Sequence, residues 1–230
     1  MKLAIIIPVL NEEKSLQQVV KEVIKVKIPF DKEIIIINDN SNDKSLQIIN
    51  SLIKENPETI KFVDKKKTEG KGSAIRDAMA LVSGEVILIQ DADQEYNVED
   101  YKQILNFFIN NEAEVVLGSR FLGKIENMKF ANLIANKILT TAANLIYGIH
   151  ITDEATAYKA FKTEIIKKIK IKSHGFEFCP EIMAKVAKLK CRIKEAPVSY
   201  KARTAEQGKK IKWQDGIIAF WTLIKYRFID

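Results

Sequence analysis

Asp91-Ala92-Asp93 follows directly on the apolar run Glu85-Val86-Ile87-Leu88-Ile89-Gln90, so two carboxylates stand at the mouth of a buried strand. Carboxylate oxygens in that position suit a hard divalent cation held against a diphosphate. A plain strand-end turn gives the same letters, because Asp is common in turns. The pair is not alone. The chain opens with Ile5-Ile6-Ile7-Pro8-Val9-Leu10-Asn11-Glu12-Glu13 and repeats the layout at Ile34-Ile35-Ile36-Ile37-Asn38-Asp39-Asn40-Ser41. Gly118-Ser119-Arg120 then follows a further apolar strand. Open parallel sheets bind ligands beyond the carboxyl ends of their strands, where strand order reverses, and Pro8 to Glu12, Asn38 to Ser41 and Asp91 to Glu95 all fall at such ends.

Other phosphate-binding devices are excluded by spacing. A dinucleotide fold needs a glycine-rich turn after its first strand, and this chain has Pro-Val-Leu-Asn-Glu there. Gly70-Lys71-Gly72-Ser73 lacks the P-loop spacing; it reads as the opening of a helix that offers Lys71 and backbone N–H groups to a nucleotide, or as a turn with a solvated lysine. Cys179 and Cys191 have neither a C-x-x-C spacing nor the number for a disulfide framework, and fit a reducing cytoplasm. His150 and His174 have no ligand partner at metal spacing.

The elements that must position these residues follow from hydrophobic periodicity. Short Ile/Val-rich runs alternate with helical patterns through the first half, the signature of a mostly parallel α/β sheet covered on both faces. Strands are expected near Lys2 to Pro8, Glu33 to Asn38, Ile60 to Asp64, Glu85 to Gln90 and Glu114 to Leu117. Leu16, Val19, Val20, Val23 and Ile24 recur at helical spacing, as do Ile48, Ile49, Leu52 and Ile53, and Tyr101, Ile104, Leu105 and Phe108; these are core faces. After Phe121 the alternation gives way to long apolar helical patterns at Asn132 to Tyr147 and Ile211 to Phe228. In the second, Trp213, Ile217, Phe220, Trp221, Ile224 and Phe228 form one stripe, with Lys210, Lys212, Lys225 and Arg227 at its ends. Docking on its own domain and facing a membrane are both open to this helix.

With 230 residues and 47% hydrophobic content, the chain suits one well-buried domain. Its formal charge of +7 is unevenly spread: Met1 to Tyr158 carry 19 basic and 23 acidic residues (−4), Lys159 to Asp230 carry 18 and 7 (+11). Nucleic acid, an anionic membrane face or a phosphate-bearing acceptor would each be drawn to the basic end. The region contains no recognised nucleic-acid reading module, so no nucleic-acid partner is expected. The first strand has Asn11-Glu12-Glu13 where a signal-peptide cleavage site would belong, and no apolar stretch approaches the roughly 18 residues of a membrane span. A cytoplasmic protein, peripheral on the membrane's cytoplasmic face, is expected.

The motif order resembles the inverting family-two glycosyltransferases of GT-A fold, and most closely their dolichyl- and polyprenyl-phosphate sugar synthase branch. The resemblance extends through Thr152-Asp153-Glu154-Ala155-Thr156-Ala157-Tyr158-Lys159 and Gly175-Phe176-Glu177-Phe178-Cys179-Pro180-Glu181-Ile182. It ends at Pro197-Val198-Ser199-Tyr200-Lys201-Ala202-Arg203 with Gly208-Lys209-Lys210. It implies a nucleotide-sugar-binding half over 1–120 and an acceptor-binding half over 121–230. It further implies that Pro8, Glu12 and Asp39 border the nucleoside. Asp91 would lie near the ribose and donor sugar, and Asp93 with Glu95 would hold Mg2+ or Mn2+. Arg120 and Arg203 would handle phosphate, and Asp153 would lie near the reacting centre. The implied reaction moves a mannose- or glucose-type hexose from a UDP- or GDP-sugar to a polyprenyl phosphate, with membrane contact made directly or through a membrane partner protein. A saccharide or protein hydroxyl acceptor would instead need a general base, for which Asp153 is the candidate. Asn38 replaces the first acid of the usual acidic pair and Leu10 an often aromatic position; a nucleotide-sugar-binding protein that has lost catalysis would show more such losses.

Overall fold

The computed structural model describes residues 1–203 and 213–229. In chain order the first half runs β1 (Lys2–Val9), α1 (Leu16–Lys25), β2 (Asp31–Asn38), α2 (Ser45–Glu55), β3 (Ile60–Asp64), α3 (Lys71–Ala78), β4 (Val86–Ile89), α4 (Tyr101–Ile109) and β5 (Val115–Ser119). The second half runs β6 (Ile125–Glu126), α5 (Phe130–Tyr147), β7 (Lys159–Lys162), α6 (Thr163–Ile166), α7 (Phe178–Lys188), β8 (Ile193–Pro197), β9 (Tyr200–Lys201) and α8 (Trp213–Phe228).

Seven strands form one sheet in the order β3-β2-β1-β4-β7-β5-β8. All neighbours are parallel except β7, which runs antiparallel to both β4 and β5. A strand from the second half of the chain thus sits between two strands of the first, and the two halves share one sheet. β6 and β9 form a separate parallel pair.

Alternation along the strands explains why the central ones carry unbroken apolar runs. Leu3, Ile5, Ile7 and Val9 point to the layer containing Leu16, Val19, Val20, Val23, Ile49, Leu52, Tyr101, Ile104 and Leu105. Ala4 and Ile6, with Ile35 and Ile37 of β2, point to the opposite layer with Ala74, Ile75, Ala78, Phe178, Ile182 and Met183. Both faces are covered, so both parities of position in the central strands are mostly apolar, and a buried charge such as Glu33 is held by hydrogen bonds.

The connections leave β1 toward β2 and β3 on one side and return to β4 on the other. The strand order therefore reverses between β1 and β4, and the loops after these two strands face each other across the crevice. Asn11 and Asn40, just beyond β1 and β2, both take the left-handed backbone conformation with φ of 52° and 60°; Asn tolerates it better than most residues with a side chain.

Candidate active site

The turn after β1 is stitched to the turn after β2. Asn11 N–H donates to Ser41 Oγ (3.0 Å), Glu12 N–H to Ser45 Oγ (2.9 Å) and Glu13 N–H to Asp43 Oδ2 (3.0 Å). Asn42 N–H returns a bond to Asn11 Oδ1 (2.8 Å), and Lys44 N–H one to Glu13 Oε2 (3.0 Å). The short polar residues Asn, Ser and Asp fit here because their side chains reach backbone groups nearby. Pro8 lies on β1, opposite Ile37 of β2.

Asp39 holds the loop before α3: its Oδ1 accepts from Glu69 N–H (3.0 Å) and its Oδ2 from Gly70 N–H (2.7 Å). Gly70 has φ of 95°, and a Cβ there would lie 2.6 Å from the carbonyl oxygen of His174, so only glycine fits. Lys71 begins α3, as expected, and its Nζ meets Asp91 Oδ1 at 2.5 Å. Burial would lower the lysine's pKa, but the groups around it, Asp91 foremost, together outweigh burial and the net direction is up. One expectation changes here. The N–H groups of Gly70 and Ser73 are not open to a nucleotide, because they donate to Asp39 and to His174 O (3.1 Å).

Arg203 is the hub of the crevice. Its Nη1 lies 3.1 Å from Glu12 Oε2, its Nη2 2.8 Å from Asp93 Oδ2, and its backbone N–H donates to Glu95 Oε1 (2.7 Å). One guanidinium thus bridges acids from the β1 and β4 turns. Its Nε is buried without a hydrogen-bond partner among the described residues, with Glu95 Oε1 3.9 Å away. Asp93 is 6% exposed. Its pKa is pushed up to about 7 by burial and then by the neighbouring Asp91 and Glu95, against the pull of Arg203. The cluster carries more negative charge than one arginine offsets.

Arg120 and Asp153 form a second, closed pair. Nε and Nη2 of Arg120 donate to Asp153 Oδ2 and Oδ1, both at 2.7 Å, and Arg120 N–H also reaches Oδ2 (2.9 Å). Asp153 is fully buried. Glu195 of β8 fixes this acid's loop by accepting from Thr152 N–H (2.8 Å) and Asp153 N–H (3.1 Å). The guanidinium carbon lies 5.0 Å from the Tyr200 ring centroid, and Tyr200 OH donates to Glu95 Oε2 (3.2 Å). Arg120 therefore supports the Arg203 cluster through Tyr200, with its fork already filled by a carboxylate. Asp153, the candidate base of the hydroxyl-acceptor alternative, is closed off in this arrangement: both its oxygens accept from Arg120.

Asp91, Asp93, Glu95, Glu12, Lys71 and Arg203 are brought together; Arg120 and Asp153 stand behind them. No group of three or more His, Cys, Asp or Glu side chains among the described residues is arranged to hold a metal ion, and Arg203 bridges acids expected to do so. The donor set still fits a hard divalent cation: Asp93 and Glu95 offer carboxylate oxygens in a site with surplus negative charge. Gly208-Lys209-Lys210, with Lys210 and Lys212 of the expected helix end, lie outside the described residues. Sequence reasoning missed Tyr200 as the link between the two arginine clusters, although it stands in the Pro197-to-Arg203 motif, and it missed Glu154. That residue follows Asp153 and is fully buried, and neither carboxylate oxygen has a hydrogen-bond partner among the described residues.

A mostly parallel sheet with an acidic crevice at its switch point defines an α/β protein of GT-A type. Residues 4–170 match the family model described as glycosyl transferase family 2, and the chain belongs to that family. It is 30% identical over 215 residues to a dolichyl-phosphate beta-glucosyltransferase, ALG5A, of Trichomonas vaginalis, covering 86% of this chain and 65% of that one. A dolichol-phosphate mannosyltransferase of Pyrococcus furiosus is 25% identical over 213 residues, covering 91% and 59% respectively. The chain thus spans less than two thirds of the length of either relative. Among solved structures, glucosyl-3-phosphoglycerate synthase of Mycobacterium tuberculosis in complex with UDP superposes with a TM-score of 0.73 at 14% identity, over 100% of this chain and 81% of that one. The same enzyme has been solved with Mn2+ or Mg2+ and UDP.

Proposed function

We propose that the chain transfers a mannose- or glucose-type hexosyl group, with inversion, from a UDP- or GDP-hexose to the phosphate of a polyprenyl or dolichyl phosphate. An acceptor phosphate oxygen forms the new bond to the anomeric carbon as the bond to the nucleoside diphosphate breaks, and the diphosphate leaves with the electron pair. The observation that carries the choice of acceptor is the closure of Asp153. A hydroxyl acceptor needs a general base within reach, and the acid expected to serve is buried and doubly bound to Arg120. A phosphate monoester, with a second pKa of about 6, is already largely ionised near neutral pH and needs no base. The names of the relatives support the same acceptor class.

Within this reading Lys71 and Asp91 position the donor, and Arg203, the cation at the centre of the crevice, handles phosphate. Arginine suits that role through its planar fork. Asp93 and Glu95 would hold Mg2+ or Mn2+, which when bound would neutralise charge gathering on the departing diphosphate. None of the described helices is long and apolar enough to cross a membrane; in this reading the chain meets its lipid at the cytoplasmic membrane surface or through a membrane partner protein. The test is to incubate the protein with UDP- and GDP-linked mannose and glucose, Mg2+ or Mn2+, and a short polyprenyl phosphate, with the free polyprenol and a soluble saccharide as competing acceptors. Glycolipid formed from the phosphate is the expected product. Preference for the polyprenol or the saccharide would overturn the acceptor assignment.

A further inference from the structure

Gln90 ends the apolar run of β4 with a buried amide. Its backbone N–H continues the sheet ladder, donating to Ile6 O of β1 (2.9 Å). Its side-chain Oε1 accepts from Tyr101 OH and Tyr158 OH, both at 2.7 Å, and its Nε2 donates to the carbonyl oxygen of Asp91 (2.8 Å). The orientation of the amide follows from these partners. A peptide carbonyl only accepts, so the nitrogen must face Asp91 O, and the oxygen then meets two hydroxyls that can both donate. Tyr101 comes from α4 and Tyr158 from the residue before β7, and both are fully buried.

An apolar side chain would fill this space with no hydrogen bonds to satisfy, whereas a buried amide is tolerated only with its partners in place. What the amide adds beyond packing is a grip on the peptide group between Asp91 and Ala92. From this geometry we infer that Gln90 is a positioning residue for donor binding: it fixes the turn that presents Asp91 and Asp93 to the nucleotide. The inference rests on the donor reading given above for those two acids. One peptide further on, the carbonyl of Ala92 accepts from Ser15 Oγ (2.9 Å). Two successive peptide groups of the turn are therefore held, one by Gln90 from the core and one by the residue that precedes α1. The Asp91 carboxylate is held separately by Lys71, and Asp93 follows with its carboxylate on Arg203. Backbone and side chains of the turn are thus fixed by different elements, and binding groups work only when their supports hold them to within a fraction of an ångström.

Isothermal titration of UDP and of GDP, each with Mg2+, into the full chain reads the donor site without sugar transfer or an acceptor, and Tm is measured beside it. Gln90→Met removes the amide and takes from both tyrosines their shared acceptor. It should lower Tm and weaken nucleotide binding by about fivefold or more, the fold-change of one net hydrogen bond. Tyr101→Phe and Tyr158→Phe each keep the ring and leave Gln90 the other hydroxyl, so Tm should fall while nucleotide affinity stays within about twofold of the parent. The triple variant Gln90→Met, Tyr101→Phe, Tyr158→Phe separates the two roles, and serves as the test even if Gln90→Met does not fold. With no hydroxyl left at the site it should regain Tm over Gln90→Met, yet it still lacks the donor to Asp91 O and should bind nucleotide as weakly. Affinity that tracks Tm across the series would reduce Gln90 to a core residue and overturn the inference, as would parent-like affinity in Gln90→Met or in the triple variant. A parent that binds neither nucleotide would instead fail the donor reading itself, and this role with it.

Discussion

Neutralising Glu154 should stabilise the protein, and increasingly so as pH rises. The residue is held by its backbone: its N–H donates to Thr140 Oγ1 (3.0 Å) and its carbonyl accepts from Lys159 Nζ (2.6 Å). The carboxylate itself has no hydrogen-bond partner among the described residues. Burial pushes its pKa up from 4.5 to about 7; Asp153 adds to the rise, while Lys159 and Arg120 oppose it. Between these two values the folded chain keeps a proton that the unfolded chain has lost. Stability must therefore fall as pH rises through that window. At about 1.36 kcal/mol per pH unit, the interval from 4.5 to about 7 corresponds to about 3 kcal/mol. For a domain of this size each kcal/mol moves Tm by about 2–4 °C, so the full effect is about 6–12 °C. Glu154→Gln cannot ionise. Its Tm should lie near that of the parent at pH 5 and above it at pH 8, with the gap opening across the window. Differential scanning calorimetry of the two proteins side by side checks this, because other titrating groups cancel in the difference. A gap that does not change with pH would refute the reasoning: Glu154 would then be either neutral throughout or satisfied by a partner.

Arg203→Lys keeps the charge but loses the fork that reaches Glu12 and Asp93 together; kcat/KM for glycolipid formation should fall by about tenfold to a hundredfold, as expected for one or two charge-assisted hydrogen bonds, and parity with the parent would remove Arg203 from the site. Asp93→Asn should lower turnover by about a hundredfold or more through loss of a cation-binding carboxylate, and chelation should abolish activity of the parent; chelator-resistant turnover would count against both. Glu33 gives the opposite pH signature from Glu154. Burial would raise its pKa, but Ser83, Lys61 and the N–H groups of Ser83 and Gly84 hold it down to about 2, so its contribution is complete above the ordinary value of 4.5 and disappears as pH falls toward 2. Urea unfolding of Glu33→Gln should show a deficit of about 2–3 kcal/mol at pH 7 that closes in acid; a deficit that persists at the acid limit would mean that packing, not ionisation, sets the cost.

The parallel core was legible because burial on both faces leaves an unbroken apolar run. β3 has the bounds expected from sequence, and β1, β2, β4 and β5 differ from theirs by one or two residues. β7 and β8 carry no such signal. Lys159-Ala-Phe-Lys is short and begins with a lysine that is nevertheless buried, its ammonium donating to the carbonyls of Glu154 and Thr156. Ile193 to Pro197 is an edge strand with exposed positions, so it need not be apolar throughout. The orientation of α8 could not be read from periodicity, because Ala219, Thr222, Leu223 and Tyr226 on its buried side are no more hydrophobic than the tryptophans and isoleucines opposite. A helix apolar on all sides has no periodicity that tells inside from outside.

Within the site, residue types were legible and pairings were not. Glu12 and Arg203 are 191 positions apart, and no local pattern links them. Asn38 shows what pairing can overturn. As a sequence feature it looks like an acid lost from a motif. In the fold it is the register partner of Asp64 on β3, its amide donates to Asp64 Oδ1 at 2.7 Å, and its own oxygen accepts from Ser41 N–H at 3.2 Å. An ionised aspartate at position 38 could not donate to Asp64; it would set two carboxylates together beside Asp39, where like charges cannot comfortably both ionise. With Asn38, the carboxylate at this end of the sheet comes from β3, and the amide locks the turn that carries Asp39. Asn38 is therefore a paired position that orders this end of the sheet, and a degenerate site does not follow from it.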